Sequence, residues 1–178
     1  MKREGNQRGF TLVEILMVVG IASMITYAIF ASMFAGDAQA KTADIKMAVQ
    51  DSARESLYKM IQEIRSSSSN AVNGNIVIGA NTISFSIPNP ASPFAGDFTE
   101  NWNGSHRIQY GLNGNQLTRT NLTTRAVTVV GNDITGITFA QVAEIVTVTL
   151  NAQRQLINGR LVPATPLQLQ AQAELRNS

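Results

Sequence analysis

The sequence predicts an α+β protein in which a long N-terminal α-helix packs on a C-terminal antiparallel β-sheet domain. An apolar run without any charge extends over 22 residues, from Ile15 to Gly36. A helix needs about 20 such residues to cross the hydrocarbon core of a membrane, so the first half of the helix is predicted to span one. A helical pattern of apolar residues continues to Arg65. Beyond it, apolar and polar residues alternate in short segments separated by turn residues, which is typical of antiparallel strands.

The second part of the predicted helix is amphipathic. After Lys41, apolar side chains recur at spacings of three or four, so they share one face. Glu55 precedes Lys59 by four residues, which places opposite charges side by side on the helix surface. The Ser-rich run 66–70 offers side-chain hydrogen bonds that compete with helix, so we expect the helix to end there. The predicted buried face comprises Ile45, Val49, Ala53, Leu57, Met60, Ile61 and Ile64.

The remaining chain is predicted to form short strands. A Gly-Ala-Asn turn at 79–81 and an Asn-Gly-Asn turn at 113–115 each join two strands into a hairpin. Three prolines between residues 88 and 93 predict a loop that extends to about Gly104, because proline is excluded from central strands. The predicted strands are 76–78, 82–87, 107–112, 116–120, 126–130, 135–139, 144–152 and 167–175.

A short basic leader precedes the apolar run, and one carboxylate lies near the start of that run. The leader, residues 1–9, holds three basic residues and one acidic residue and ends in Gly9. A carboxylate in a segment meant for lipid is costly, so Glu14 indicates a function. The leader and the residues after it resemble the class III signal peptide of type IV prepilins and pseudopilins. The block that carries this resemblance is Phe10, Thr11, Leu12, Val13 and Glu14.

The resemblance implies that a prepilin peptidase cuts between Gly9 and Phe10 and that the new Phe10 amine is N-methylated. Assembly would then depend on Glu14 as the counter-charge to a Phe10 amine, together with its neighbours Thr11, Leu12 and Val13. The implied partners are other pilin or pseudopilin subunits, contacted through N-terminal helices, the prepilin peptidase, an inner-membrane assembly platform and membrane lipid. The implied location is the inner membrane, crossed once with a periplasmic C-terminal domain, and afterwards a pilus or pseudopilus.

The layout after the helix also bears on the kind of subunit. The segment from Asn132 to Phe139, the Val- and Thr-rich strand after it and the C-terminal strand look like J-type pseudopilins and W-type minor pilins. Many major pilins carry a proline in the apolar half of the helix, and no proline precedes Pro88 here, so the resemblance favours a minor pilin or pseudopilin over a major pilin. Minor subunits of this family often prime or cap a fibre, so the resemblance also implies a priming or tip position. The predicted parts are a leader (1–9), a transmembrane and polymerisation helix (10–36), its amphipathic continuation (37–66) and a β-rich periplasmic or extracellular domain (67–178).

Composition argues against several kinds of site. The chain contains no cysteine, which excludes disulfides, thiolate metal sites and cysteine nucleophiles. His106 is the single histidine, and the sequence has neither a G-x-S-x-G nucleophile motif nor the spacing of a calcium loop, so we expect no catalytic residues, metal site or cofactor. The net charge is +2, and removal of residues 1–9 leaves eleven basic and eleven acidic residues. A DNA partner therefore has no support from the net charge, and it would need a basic strip formed by Arg107, Arg119, Arg125, Arg154 and Arg160.

Two other functions remain open from the sequence. A membrane-tethered periplasmic binding or sensor module that does not polymerise would keep residues 1–9. A secreted enzyme would be cut near Ala40, where Ala38 and Ala40 fit the small-residue pattern of an ordinary signal peptide, although no catalytic group supports it. The three alternatives differ in the first residue of the mature protein, which is Phe10, Met1 or Lys41.

Overall fold

The computed structural model describes residues 10–68, 76–95 and 100–175. The predicted leader with Gly9 lies outside the described residues, as do residues 69–70 of the Ser-rich run and residues 96–99 of the predicted loop. The chain forms two compact units, one up to Ala43 and one from Asp44 onward. One helix followed by antiparallel strands confirms the predicted α+β class.

The helix, α1 (Leu12–Arg65), ends at the residue where the sequence predicts its end. The strands that follow form two antiparallel sheets, one with the order β1-β2-β3-β4-β5 and one with the order β6-β7-β8. The sequence alone did not indicate this division into two sheets. The strands are β1 (Val77–Ile78), β2 (Thr82–Ile87), β3 (His106–Asn113), β4 (Gln116–Asn121), β5 (Ala126–Asn132), β6 (Ile134–Val142), β7 (Ile145–Gln155) and β8 (Leu161–Glu174).

The largest difference from the predicted strands concerns β8, which starts at Leu161 and not at residue 167. The predicted strands leave out residues 161–166, which contain Pro163 and Pro166. The prediction was wrong because β8 has a neighbouring strand on only one side among the described residues. In addition, Pro163 and Pro166 lie in a register irregularity without ladder partners, where a missing N–H is tolerated. Between Leu167 and Ala173 the predicted alternation is confirmed, since the glutamines are exposed and the apolar residues are half-buried or buried.

The unit that begins at Asp44 has one hydrophobic core, and the amphipathic face of α1 is part of it. Val49 and Ile64 are fully buried there, and Ile45 is partly buried, so the predicted face is confirmed. Both sheets contribute residues to the same core. The largest buried side chains from the strands are Phe85, Tyr110, Ile83, Ile108, Leu117, Ile134, Ile137 and Leu150.

A single residue joins the two sheets. Asp133 lies between the end of β5 and the start of β6 with a φ of 63°, in the left-handed region that Asp tolerates better than most residues. Its carboxylate accepts a hydrogen bond from Arg154 Nη2 at 2.7 Å, and its carbonyl accepts one from the backbone N–H of Gln153 at 2.8 Å. Both partners belong to β7. One side-chain bond and one backbone bond therefore hold the Asp133 corner, which is the one-residue connection between β5 and β6, to the second sheet.

Candidate functional site: the N-terminal segment

The N-terminal end of α1 is capped by Thr11. Its hydroxyl oxygen accepts a hydrogen bond from the backbone N–H of Glu14 at 3.3 Å, and its carbonyl accepts the first helical bond from Ile15 at 3.2 Å. Thr11 is therefore the N-cap, and Glu14 occupies the third helical position, as in a capping box. Glu14 is also the acidic residue of the first turn, where the helix dipole favours a negative charge.

The other predicted assembly residues lie on the surface of this unit. Phe10 and Leu12 each expose 77% of their surface, and Val13 exposes 60%. Glu14 is exposed as well. Gly9, on the other side of the predicted cleavage bond, lies outside the described residues.

Three hydroxyl side chains in the apolar half of α1 are hydrogen-bonded within the helix. Ser23, Thr26 and Ser32 each donate their hydroxyl proton to a backbone carbonyl three or four residues earlier, at 2.8 to 2.9 Å. Such internal bonds remove the cost of hydroxyl groups in hydrocarbon. The large apolar side chains between Ile15 and Phe34 are all more than half exposed. The helix is thus long and apolar enough to cross a membrane, and its most apolar window is not buried inside the protein.

A comparison with known protein families gives a match in this N-terminal segment. Residues 5–30 match the prokaryotic N-terminal methylation motif. The match includes the Gly9–Phe10 bond, Thr11 and Glu14, and it supports a class III signal peptide of the type IV pilin kind. It covers only the N-terminal part of the chain and leaves the subfamily undecided. No curated protein matches the chain significantly.

The motif and the exposed apolar helix together indicate that the N-terminal segment anchors the chain in a membrane. The motif also implies processing by a prepilin peptidase and assembly with other pilins. It is characteristic of structural proteins and not of enzymes. Among the described residues, no group of three or more His, Asp or Glu side chains is arranged to hold a metal ion.

A second polar cluster joins the helix to the five-stranded sheet. Glu63 of α1 accepts a hydrogen bond from the Tyr110 hydroxyl at 2.8 Å and pairs with Arg119 Nε at 2.9 Å from both carboxylate oxygens. The side chains of Arg119 and Glu63 are 25% and 29% exposed, so water screens this ion pair only in part. The cluster fixes the rotation of the helix on the sheet, because Tyr110 and Arg119 are directly paired neighbours on β3 and β4.

The cluster changes the proton affinity of two of its members. Burial, and after it the charge of Glu63, raises the pKa of Tyr110 well above its usual value of 10.0. Burial alone would lower the pKa of Arg119, but its hydrogen bond to Glu63 and the opposite charge outweigh that effect and raise the pKa. Both residues therefore keep their protons at physiological pH, and the cluster holds one carboxylate between two permanent donors.

The arginines considered for a basic strip have partners of their own. Arg119 pairs with Glu63, Arg154 pairs with Asp133, and Arg107 donates to the hydroxyl of Ser84 at 3.3 Å. These contacts commit three of the five guanidinium groups to the domain itself. A DNA partner gains no support from their placement.

Sequence reasoning missed two features of these sites. The capping role of Thr11 could have been predicted, because Thr followed three residues later by Glu before an apolar run is a capping-box pattern. The contact between Glu63 and the strands could not have been predicted, because no sequence pattern relates a helical carboxylate to an arginine 56 residues away. The predicted pair of Glu55 and Lys59 is confirmed, with a distance of 2.7 Å between Oε1 and Nζ.

Proposed function

We propose that the chain is a minor subunit of a type IV pilus or of a type II secretion pseudopilus, with a priming or tip position. The methylation motif at residues 5–30, which includes the start of the exposed apolar helix, supports the pilin-like part of this proposal. The β domain that follows this helix supplies the second part of a pilin-like architecture. The function is structural, and its chemistry is limited to maturation of the N-terminus.

Maturation creates the group that assembly uses. Cleavage between Gly9 and Phe10 frees an amine four residues before Glu14, and N-methylation leaves that amine cationic. In a filament the apolar halves of neighbouring helices bury each other, which supplies most of the cohesion. A carboxylate and an amine in this surrounding add little net stability, but they select one axial stagger of the helices. Glu14 is thus proposed to set the register of the subunit against its neighbour.

Mass spectrometry of the mature N-terminus tests the proposal. Protein from native cells should begin with a methylated Phe10, and deletion of the prepilin peptidase should restore a Met1 start. A Met1 start in peptidase-competent cells with full function would instead indicate a tethered periplasmic module. A Lys41 start would indicate a secreted protein. Either of the last two results contradicts the proposed processing.

The role of Glu14 needs two substitutions, because the structure gives it a place in the helix cap as well. Glu14→Gln keeps a third-position capping residue and removes the charge, whereas Glu14→Ala removes both. If the charge meets an amine, both variants should enter sheared filaments about tenfold less than the wild type. Incorporation of Glu14→Gln at the wild-type level would limit Glu14 to capping.

The abundance of the subunit in filaments tests the proposed minor position. The ratio of this subunit to the most abundant subunit in purified filaments should be far below one, and its deletion should reduce the number of filaments and not their length. An equal or higher abundance than every other subunit would identify it as the major subunit.

A further inference from the structure

A groove of about 400 Å³ lies between α1 and β8. Leu57 and Ile61 of the helix and Leu169 and Ala171 of the strand give it an apolar lining. The two helix residues belong to the hydrophobic core, so the lining of the groove is the outer side of that core. Its volume lies within the range of about 300–1,000 Å³ that is usual for ligand sites.

The strand side of this groove is an open sheet edge. β8 is the last strand in the order β6-β7-β8 and has a ladder partner on one side within the described chain. Such edges are normally protected by charges or proline. Pro163 and Pro166 protect the first part of β8, whereas the stretch 167–173 contains neither a proline nor a charge. This unprotected stretch includes the strand residues that line the groove.

The helix side supplies positive charge. Arg54 and Arg65 line the groove, and no described residue of the lining carries a carboxylate. Glu174 contributes to an adjoining cleft, which also touches Arg65. Arg65 follows Arg54 by eleven positions, which is about three helical turns, so both lie on the same face roughly 16 Å apart along the axis. An extended chain covers that distance in about five residues.

We propose that this groove binds an extended acidic segment of a partner protein as a fourth strand of the sheet. The backbone of the segment would bond to the free edge at 167–173, and alternate apolar side chains would contact the lining. Carboxylates near its two ends would pair with Arg54 and Arg65. The proposal goes beyond the proposed function, because such a surface would operate whether or not the chain polymerises.

A synthetic peptide of alternating residues tests the proposal on the full chain in detergent micelles. The probe is a fluorescein-labelled Glu-Thr-Val-Thr-Val-Thr-Glu, in which the Glu and Val side chains share one face of the extended chain, and its anisotropy should rise to saturation as protein is added. Amide hydrogen exchange in the stretch 167–173 should slow in the same titration, because the edge gains hydrogen bonds. The same peptide with both Glu residues replaced by Lys, or with alternate amides N-methylated, should bind at least about tenfold more weakly.

Two protein variants separate the groove from general electrostatics. Arg54→Gln with Arg65→Gln should raise the peptide Kd about tenfold, since both charges that face the segment are lost. Lys41→Gln with Lys46→Gln makes the same change of charge on exposed residues of the same helix outside the groove, and it should leave the Kd within about twofold.

Three results of the peptide titrations would overturn the proposal. They are no binding at about 1 mM protein, binding that the arginine variant leaves unchanged, and binding without slower exchange at 167–173. Self-association of the full chain that depends on Arg54 and Arg65 would assign the groove to a second copy, and this result also contradicts an acidic partner segment.

Discussion

At the scale of single residues, Glu63 is the polar group on which the position of the helix most depends. It accepts from Tyr110 and pairs with Arg119, two half-buried or buried donors that belong to different strands. By contrast, the pair of Glu55 and Lys59 lies on the exposed side of the same helix, with side chains that are 64% and 54% exposed. The two pairs thus offer a comparison between partly buried and solvated charge on one helix.

Replacement of Glu63 by Ala should destabilise the domain by about 2 kcal/mol, because it leaves Tyr110 and Arg119 without their acceptor. Thermal unfolding of the full chain in micelles, followed through the fluorescence of Trp102, measures the change. Glu55→Ala is the matched control and should shift the transition far less, since exposed pairs contribute little. Equal shifts for both variants would contradict a structural role of the cluster.

Tyr110 should make stability depend on alkaline pH. Its pKa in the folded protein is raised above 10.0, mainly by burial, so the folded state keeps the proton that the unfolded chain loses. The contribution is fully present below pH 10 and decreases as the pH rises above it, by up to about 1.4 kcal/mol per pH unit. Denaturant titrations between pH 8 and about 11 should show this loss. Tyr110→Phe should have a shallower profile, and an unchanged slope would exclude Tyr110 as its source.

At Gly131, the close approach of Ser56 leaves no room for a Cβ atom. A Cβ placed there would lie 1.9 Å from Ser56 Oγ, which donates to the carbonyls of Ser52 and Val130. Gly131→Ala should therefore cost about 1–3 kcal/mol through overpacking. Adding Ser56→Ala should recover part of this cost, which a double-mutant cycle of unfolding free energies would reveal. Strictly additive effects would show that the two residues do not meet.

At the scale of elements, the sequence predicts those helices and hairpins whose positions depend on apolar periodicity and on turn residues. The helix ended where the serines begin, and the hairpin turns fell at 79–81 and at Gly114, which has a φ of 59°. The start of β8 could not be predicted, because edge position decides whether proline is tolerated and edge position is a property of the whole sheet. The close contact of Gly131 could not be predicted either, because the sequence does not show which side chain packs against a glycine in a strand.

The first turn of α1 gives a prediction at this scale. Thr11→Ala removes the acceptor for the Glu14 N–H and should destabilise the helix end by about 1 kcal/mol, whereas Thr11→Ser should keep the cap. Amide hydrogen exchange at Glu14, measured by NMR in micelles, should become faster in the alanine variant only. Equal exchange in both variants would mean that the cap does not control this turn.

At the scale of the whole molecule, the N-terminal signal segment was predictable from the sequence, whereas the contacts of the folded domain were not. Residues from Gly9 to Glu14 form a local pattern, so their proposed role follows from adjacent positions in the chain. The cluster around Glu63 and the groove beside β8 both combine residues that are far apart in sequence. Only the folded arrangement of helix and sheets brings these groups together.

The exposed apolar run predicts how the intact chain behaves in cells. Side chains such as Leu16, Ile25 and Phe34 expose more than half of their surface, so water is an unfavourable environment for this unit. The full chain should stay with the membrane fraction after extraction with alkaline carbonate and enter solution only with detergent. Immunoblots of the two fractions would measure this. Release by carbonate alone would contradict anchoring through the helix.

The corner at Asp133 has a mechanical consequence. Because one residue connects β5 to β6, and Arg154 and Gln153 hold it, a load applied to one sheet passes to the other without any slack chain to extend first. A domain that is dragged or pulled should then yield abruptly, at a single rupture force, and not in two steps. Loosening this corner with inserted glycines would turn one such event into two.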